Sequence, residues 1–302
     1  MNNIKEFIDK YDFKVKKYNK KGNAIVIDTD RGTYVIKERS LVNKEEIFNY
    51  LKSKQFSYFL NSENDLDDKY EMVPFINDNV IDNSEKGPEL IYVMSLLHNK
   101  TTFYQSVSLD DTKEYYEERL SYLDYIKHYY DNLLWVIEEQ TILSPSSYFL
   151  MRNFSLIYSS IDTALYHLEQ WYSIVKDKKT RRVAMTHNNI DDSHLLIDDK
   201  PYLISWDKCK VDSPIYDFYN FFKLNYLKFD CSYLFNIYNS RYELLEEEIH
   251  LLFFLLALPE KVEFMEAEID NTKKIHDYIR YLYYVSSSIS KYNSKYQDKK
   301  PN

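Results

Sequence analysis

Apolar positions along the chain fall into two regimes. Over the first eighty residues they alternate or cluster in short runs. The run at 23–29 reads as a β-strand, Asp30-Arg31-Gly32 as a hairpin turn, and 33–37 as the returning strand. A brief helical pattern, Ile4, Phe7 and Ile8, precedes them and gives way to a mixed charged stretch ending near residue 20. Residues 41–56 place Ile47, Phe48 and Leu51 on one face of a predicted helix. A polar, acidic loop at 61–69 follows, and 70–76 reads as a buried strand interrupted by Pro74.

From residue 88 onward the period changes to three and four. Helices are predicted over 88–98, 111–141 and 153–176, the last two linked by a turn at Ser144-Pro145-Ser146, and again over 231–258 and 267–292. Tyr115, Tyr122, Tyr125 and Tyr129 share one face of the second of these, which reads as packing surface with hydroxyl tips in water rather than as an aromatic ligand site. Between the helical stretches lies 186–207, where a polar loop, a short apolar strand, a tight turn and a second apolar strand closing on Asp207 predict an inserted hairpin. The tail at 293–302 is polar, and the chain has no internal repeat. The order predicts an α+β protein of two lobes, a small β-rich N-lobe over 1–76 and a larger, mostly helical C-lobe over 77–302.

Composition narrows the setting. At 302 residues the chain can bury a sizeable core, and 44% hydrophobic with 29% charged residues is ordinary for a globular protein. A net charge of −9 argues against a general nucleic-acid binder, which needs concentrated cationic surface. The one basic run, 176–182, reads as a solvated helix end. Two cysteines cannot make a disulfide framework in a chain of this size. The charged first twenty residues predict no secretory leader, and the longest apolar run, 251–258, is far short of the roughly 20 residues that span a membrane. A cytoplasmic protein without membrane insertion is expected.

Candidate chemistry lies at a few ordered positions. Lys37 ends the second hairpin strand, and Glu45 and Glu46 open the helix after it, with nothing in the spacing to choose between them. Leu96-Leu97-His98 ends the 88–98 helix. The central segment begins Thr186-His187-Asn188-Asn189 and continues through Asp191, Asp192 and His194 to Ser205-Trp206-Asp207; Pro214-Ile215-Tyr216-Asp217-Phe218 follows. Strand alternation would put Ser205 and Asp207 on one face. Nucleophile elbows, Walker loops and dinucleotide fingerprints are absent, and three glycines leave little room for them.

Taken in order, Lys37, Pro74, His98, His187, Asp207 and Asp217 resemble the motif set of aminoglycoside-phosphotransferase-like kinases, over about residues 22–222. That resemblance implies a bilobal protein kinase-like fold. It further implies a Lys37–Glu45 or Lys37–Glu46 pair, nucleotide contacts from Lys37 and from the 71–76 hinge (Glu71 and Val73), and ATP with Mg²⁺ as cofactors where nucleotide binding is retained. In the family the catalytic segment reads H-G-D-x-x-x-x-N and then I-D-[WF]-[DE]. The aligned catalytic and metal-binding positions are here Asn189, His194 and Ser205, while His187 and Asp217 remain as structural supports, Asp217 capping a helix. The Y-x-L-I-x-W-D strand looks most like the spore-coat kinase-like branch, which implies a binding or structural role, protein partners among coat components and a spore-coat location.

The substitutions carry direct chemical meaning. Phosphoryl transfer rests on positioning and on neutralising charge around the transferred group. An amide at 189 is not basic near neutral pH, a hydroxyl at 205 is a poor exchange for a carboxylate, and an imidazole at 194 offers nitrogen where Mg²⁺ takes oxygen. A pseudokinase is the leading expectation. The alternatives are an active small-molecule phosphotransferase in which Asp191, Asp192 or Asp207 replaces the missing groups, and a metal-dependent protein using His187, His194, Asp191, Asp192 and Asp207 for zinc or a related ion.

Overall fold

The structure is a computed structural model, described here for residues 2–11, 13–22, 24–39, 43–62, 69–78 and 83–297. In chain order it contains α1 (Asn2–Asp9), β1 (Val15–Lys21), β2 (Ala24–Thr29), β3 (Thr33–Glu38), α2 (Lys44–Ser53), β4 (Tyr70–Pro74), α3 (Asn83–Thr101), β5 (Phe103–Ser106), α4 (Leu109–Glu138), α5 (Pro145–Met151) and α6 (Phe154–Val175). It continues with β6 (Thr180–Thr186), β7 (Leu195–Ile197), β8 (Pro201–Leu203), β9 (Lys210–Asp212), α7 (Ile215–Asn225), α8 (Cys231–Arg241), α9 (Glu246–Ala257) and α10 (Glu268–Gln297). The protein is thus α+β, with a small antiparallel sheet and a larger helical part, and none of its described helices is long and apolar enough to cross a membrane.

The chain divides into two compact units, 1–101 with 185–210, and 102–184 with 211–302. This division into compact units differs from the lobe boundary expected at residue 76. Helix α3 stays with the first unit because it packs on β8 and on the single helical turn Asp192–His194 that precedes β7.

In the first unit β1–β2–β3–β4 form one antiparallel sheet. Gly22, at φ 58°, makes the β1–β2 turn, a backbone region that glycine enters without steric cost. The β2–β3 turn is closed by Thr29, whose N–H and hydroxyl both donate to the Gly32 carbonyl at 2.9 and 2.8 Å. Alternation sends Ile27, Ile36, Tyr70 and Met72 to one face, where Phe7 of α1 completes a core. Strand β1 was not anticipated, because its Lys-rich sequence VKKYNKK lies exposed on the sheet edge.

In the second unit the buried positions follow helical period: Leu123, Ile126, Tyr130 and Ile137 on α4, and Ile157, Ile161, Ala164 and Leu168 on α6. Helix α9, apolar nearly all round, is buried against α6 and α7. The tyrosines earn burial by finding carbonyls. Tyr130 donates to Glu260 O at 2.6 Å, Tyr129 to Val262 O, and Tyr281 to Leu256 O at 3.0 Å.

Several expected elements are revised. The turn at 144–146 is the start of a short helix, α5, with Ser144 as cap and Pro145 in its first turn. The 231–258 helix is two helices, α8 and α9. The 176–182 run leaves the end of α6 exposed through residue 181, as expected, but its last residues belong to β6, which pairs antiparallel with β5 from Phe103 opposite Val183 to Ser106 opposite Thr180.

Candidate functional site

A cavity of about 740 Å³ opens in the first unit, a size typical of small-molecule sites. Its apolar wall comes from Val35, Val73, Phe75, Ile76, Leu203 and Trp206. Its charged wall comes from Lys37, Arg39, Lys44 and Lys52 against Glu45, Glu71 and Asp78. Trp206 is wedged by Phe48, Phe56 and Phe59, with ring centroids 6.0, 6.1 and 6.4 Å away, and its indole N–H donates to Leu203 O at 2.7 Å. This aromatic block fixes the part of the wall that carries Ser205, with Asp207 following Trp206 in the chain.

The antiparallel register sets Lys37 of β3 directly opposite Glu71 of β4, and Lys37 Nζ lies 3.2 Å from Glu71 Oε1. Among the described residues the acid partner of Lys37 is therefore Glu71 on the neighbouring strand, not Glu45 or Glu46 on α2. Glu46 instead closes the cap of α2, its N–H bound to Asn43 Oδ1 at 3.3 Å and its carboxylate to Asn43 Nδ2 at 3.4 Å. Glu71 thus contributes a carboxylate rather than only hinge backbone, while Val73 stands on the cavity wall. In the hinge itself Pro74 has no N–H and the Phe75 N–H is bound to Thr33 O at 2.9 Å.

A second lysine completes the charged wall. Lys44 Nζ lies 2.8 Å from Glu71 Oε1 and 2.6 Å from Asp207 Oδ1. Burial would depress its pKa, but hydrogen bonds to Asp207 and Glu71 outweigh that effect and raise it, so the amine is an ammonium at neutral pH.

The loop from His187 to Asp207 is knit to itself. His187, fully buried, donates from Nε2 to Ile204 O at 2.9 Å and stands edge-on to Trp206, centroids 4.7 Å apart. His194 donates from Nδ1 to Asn189 O at 2.7 Å, and Asn189 Nδ2 approaches Ser205 O at 3.4 Å. Asp191 accepts from Ser193 N at 2.8 Å, capping the helical turn at 192–194. Asp78, unremarked in the sequence, ties the hinge to the hairpin by accepting from Ile197 N at 2.9 Å.

Two expectations about this loop are corrected. Ser205 and Asp207 do not alternate along a strand, because β8 ends at Leu203, Ser205 is left-handed at φ 66°, and Trp206–Lys208 forms a helical turn. A site for zinc or a related ion is not assembled: among the described residues no three His, Cys, Asp or Glu side chains converge, with His194 turned to Asn189 and Asp207 to Lys44. In the second unit Asp217 is buried within the first turn of α7, where the cap position is Pro214 rather than Asp217.

No protein-family model matches the chain, and no curated protein matches its sequence. Its fold does have solved counterparts. An aminoglycoside phosphotransferase from Alicyclobacillus acidocaldarius superposes with a TM-score of 0.66 at 12% identity, covering 94% of each chain. An AMP-bound spectinomycin phosphotransferase gives 0.53 at 14% identity, over 90% of this chain and 93% of that one. At these identities the likeness shows a fold shared with aminoglycoside phosphotransferases.

That fold brings Mg²⁺ into question, and the residues here do not fit it. Magnesium asks for hard oxygen ligands in a nearly octahedral set. The carboxylates of Glu71 and Asp207 are bridged by an ammonium, position 205 offers a hydroxyl, and the His194 imidazole is turned to a backbone carbonyl.

Proposed function

We propose that this protein is a pseudokinase: a kinase-fold protein that binds a nucleotide in the 740 Å³ cavity and does not transfer its phosphoryl group. One observation carries this reading. The side chains at the register of the catalytic base and metal ligands, Asn189 and His194, direct their polar groups to the loop's own backbone, and that backbone runs through Ser205. They serve the loop's shape: the amide at the base position is not basic, and neither side chain is a hard anionic ligand. Binding is supported by what remains: the apolar wall, and Lys37 held by Glu71 facing the same space.

An active phosphotransferase using substitute acids is less well supported, because Asp191 caps a helical turn and Asp207 holds Lys44. Protein partners in a spore coat extend the reading along the likeness of the 202–207 sequence; co-fractionation of the tagged chain with coat material tests that extension.

The experiment is a thermal shift with ATP beside an assay for ADP. Ligand at about 100 times its dissociation constant adds roughly 2.7 kcal/mol of stability, a visible displacement. A shift without ADP formation is expected. Turnover abolished by Asp207→Ala would replace this reading with the active one.

A further inference from the structure

We propose that the Lys44 ammonium is a resident cation: it holds the carboxylate oxygens of Glu71 and Asp207 that a divalent metal would need, so the cavity takes a nucleoside phosphate without metal. This rests on the nucleotide-binding reading above and goes beyond it by assigning the cation.

The geometry is that of a two-carboxylate clamp. Lys44 Nζ bridges Glu71 Oε1 and Asp207 Oδ1 at 2.8 and 2.6 Å, and Lys37 Nζ reaches the same Glu71 oxygen at 3.2 Å. Lys44 and Glu71 are largely withdrawn from water, their side chains 12% and 6% exposed, so the pair they form is weakly screened, while Asp207 at 40% and Lys37 at 29% stand nearer the solvent. Two ammoniums and two carboxylates sum to zero. In the empty cavity a divalent ion added to that set would leave an excess of two positive charges, or would have to expel Lys44; when a phosphate enters, Lys44 already occupies the carboxylate oxygens.

The position of Lys44 in its helix points the same way. It is the first residue of α2, where the helix dipole disfavours a cation and the neighbouring Glu45 and Glu46 are the expected residues. A local rule broken inside a cavity is a mark of function, and the compensation is visible in the two carboxylates that hold the amine. A phosphate entering beside Phe48 and Val73 therefore meets Lys37 and Lys44, with Arg39 and Lys52 also on the wall. A compact ammonium is a sound phosphate partner.

The test uses the full chain. Calorimetric titration of ATP in EDTA and in excess Mg²⁺ is expected to return affinities within about twofold of each other, and Mg²⁺ or Mn²⁺ alone should leave the melting temperature unmoved. In Lys44→Met, where Glu71 keeps only Lys37 as its ammonium partner, Glu71 and Asp207 should accept Mn²⁺, seen as a rise in melting temperature that disappears in Lys44→Met/Asp207→Asn, while ATP affinity in EDTA falls tenfold or more. A tenfold gain in wild-type ATP affinity on adding Mg²⁺ would overturn the proposal. So would a folded Lys44→Met, judged by near-ultraviolet circular dichroism, that ignores Mn²⁺. If Lys44→Met does not fold, the wild-type comparison of EDTA with Mg²⁺ decides. If the wild type ignores ATP altogether, the nucleotide reading falls by itself, and the Mn²⁺ response of Lys44→Met decides whether the clamp is a resident cation.

Discussion

Asn188 and Ser205 flank the central loop in left-handed backbone, at φ 56° and 66°, a region that β-branched residues enter only at a cost of about 1–2 kcal/mol. Asn188→Val should lose roughly that much stability in urea denaturation, while Asn188→Gly should stay within a few tenths of a kcal/mol. The same geometry explains why the letters of the loop were legible and its shape was not. Short polar residues at 188 and 205 fit the turns, but nothing local announces φ > 0 at a serine that strand alternation would have placed in an extended chain. The Lys37–Glu71 pair was hidden for a related reason, since strand register decides it and helix spacing only suggested Glu45 and Glu46. Lys44 was invisible as chemistry because its partners lie 27 and 163 positions away along the chain. Restoring Asn189→Asp, His194→Asn and Ser205→Asp together should therefore leave Mg²⁺ unbound in calorimetry. The same three changes with Lys44→Met should bind it.

At the scale of elements, the long helices were readable from apolar spacing, whereas β1, β5 and β6 were not. β1 and β5 are charged or exposed, and β6 opens on exposed, basic residues before its buried end at 183–186; partner strands rather than propensity make them strands. Where β6 begins, Arg182 forms a fork with Glu248 of α9, Nε to Oε1 at 2.9 Å and Nη2 to Oε2, and stacks its guanidinium 4.5 Å over Tyr242. The basic run is thus solvated except at its end: Lys178, 44% exposed, pairs with Glu247, and only Arg182 is withdrawn from water against Glu248. Glu248→Ala should cost about 3–5 kcal/mol by stranding a buried charge, and Arg182→Met/Glu248→Leu should recover most of it in chemical denaturation.

Helices α6 and α9 also share a histidine pair, His167 Nδ1 to His250 Nδ1 at 2.9 Å, in which one ring donates and the other accepts. Burial and then the facing His250 hold the His167 pKa down at about 4, while burial also lowers His250 against the opposing pull of Glu246. The unfolded chain takes up a proton near pH 6.5 that the folded His167 refuses until about pH 4. Stability is accordingly full above pH 6.5 and falls through the window down to pH 4, by up to roughly 3 kcal/mol. Urea midpoints between pH 7.5 and 4.5 should show that slope, and His167→Phe should flatten it.

For the whole molecule, the sequence supported an α+β kinase-like protein, and its fold matches solved phosphotransferases at 12–14% identity. The 31 tyrosines, which composition alone could not interpret, are in part fasteners of the helical unit, their hydroxyls tied to backbone carbonyls at 256, 260 and 262. The apolar runs of α3 look like those of the helical part, and its packing on the 192–203 segment is what groups it with the first compact unit. What unites the molecule's chemistry is a cavity whose acids are neutralised by lysines and whose loop spends its polar groups on itself. The most direct test is to incubate the wild-type chain with saturating ATP and excess Mg²⁺ while following ADP formation and ATP binding together. Saturable binding with ADP no faster than in buffer is the predicted result; catalytic ADP formation that Asp207→Ala removes would contradict it.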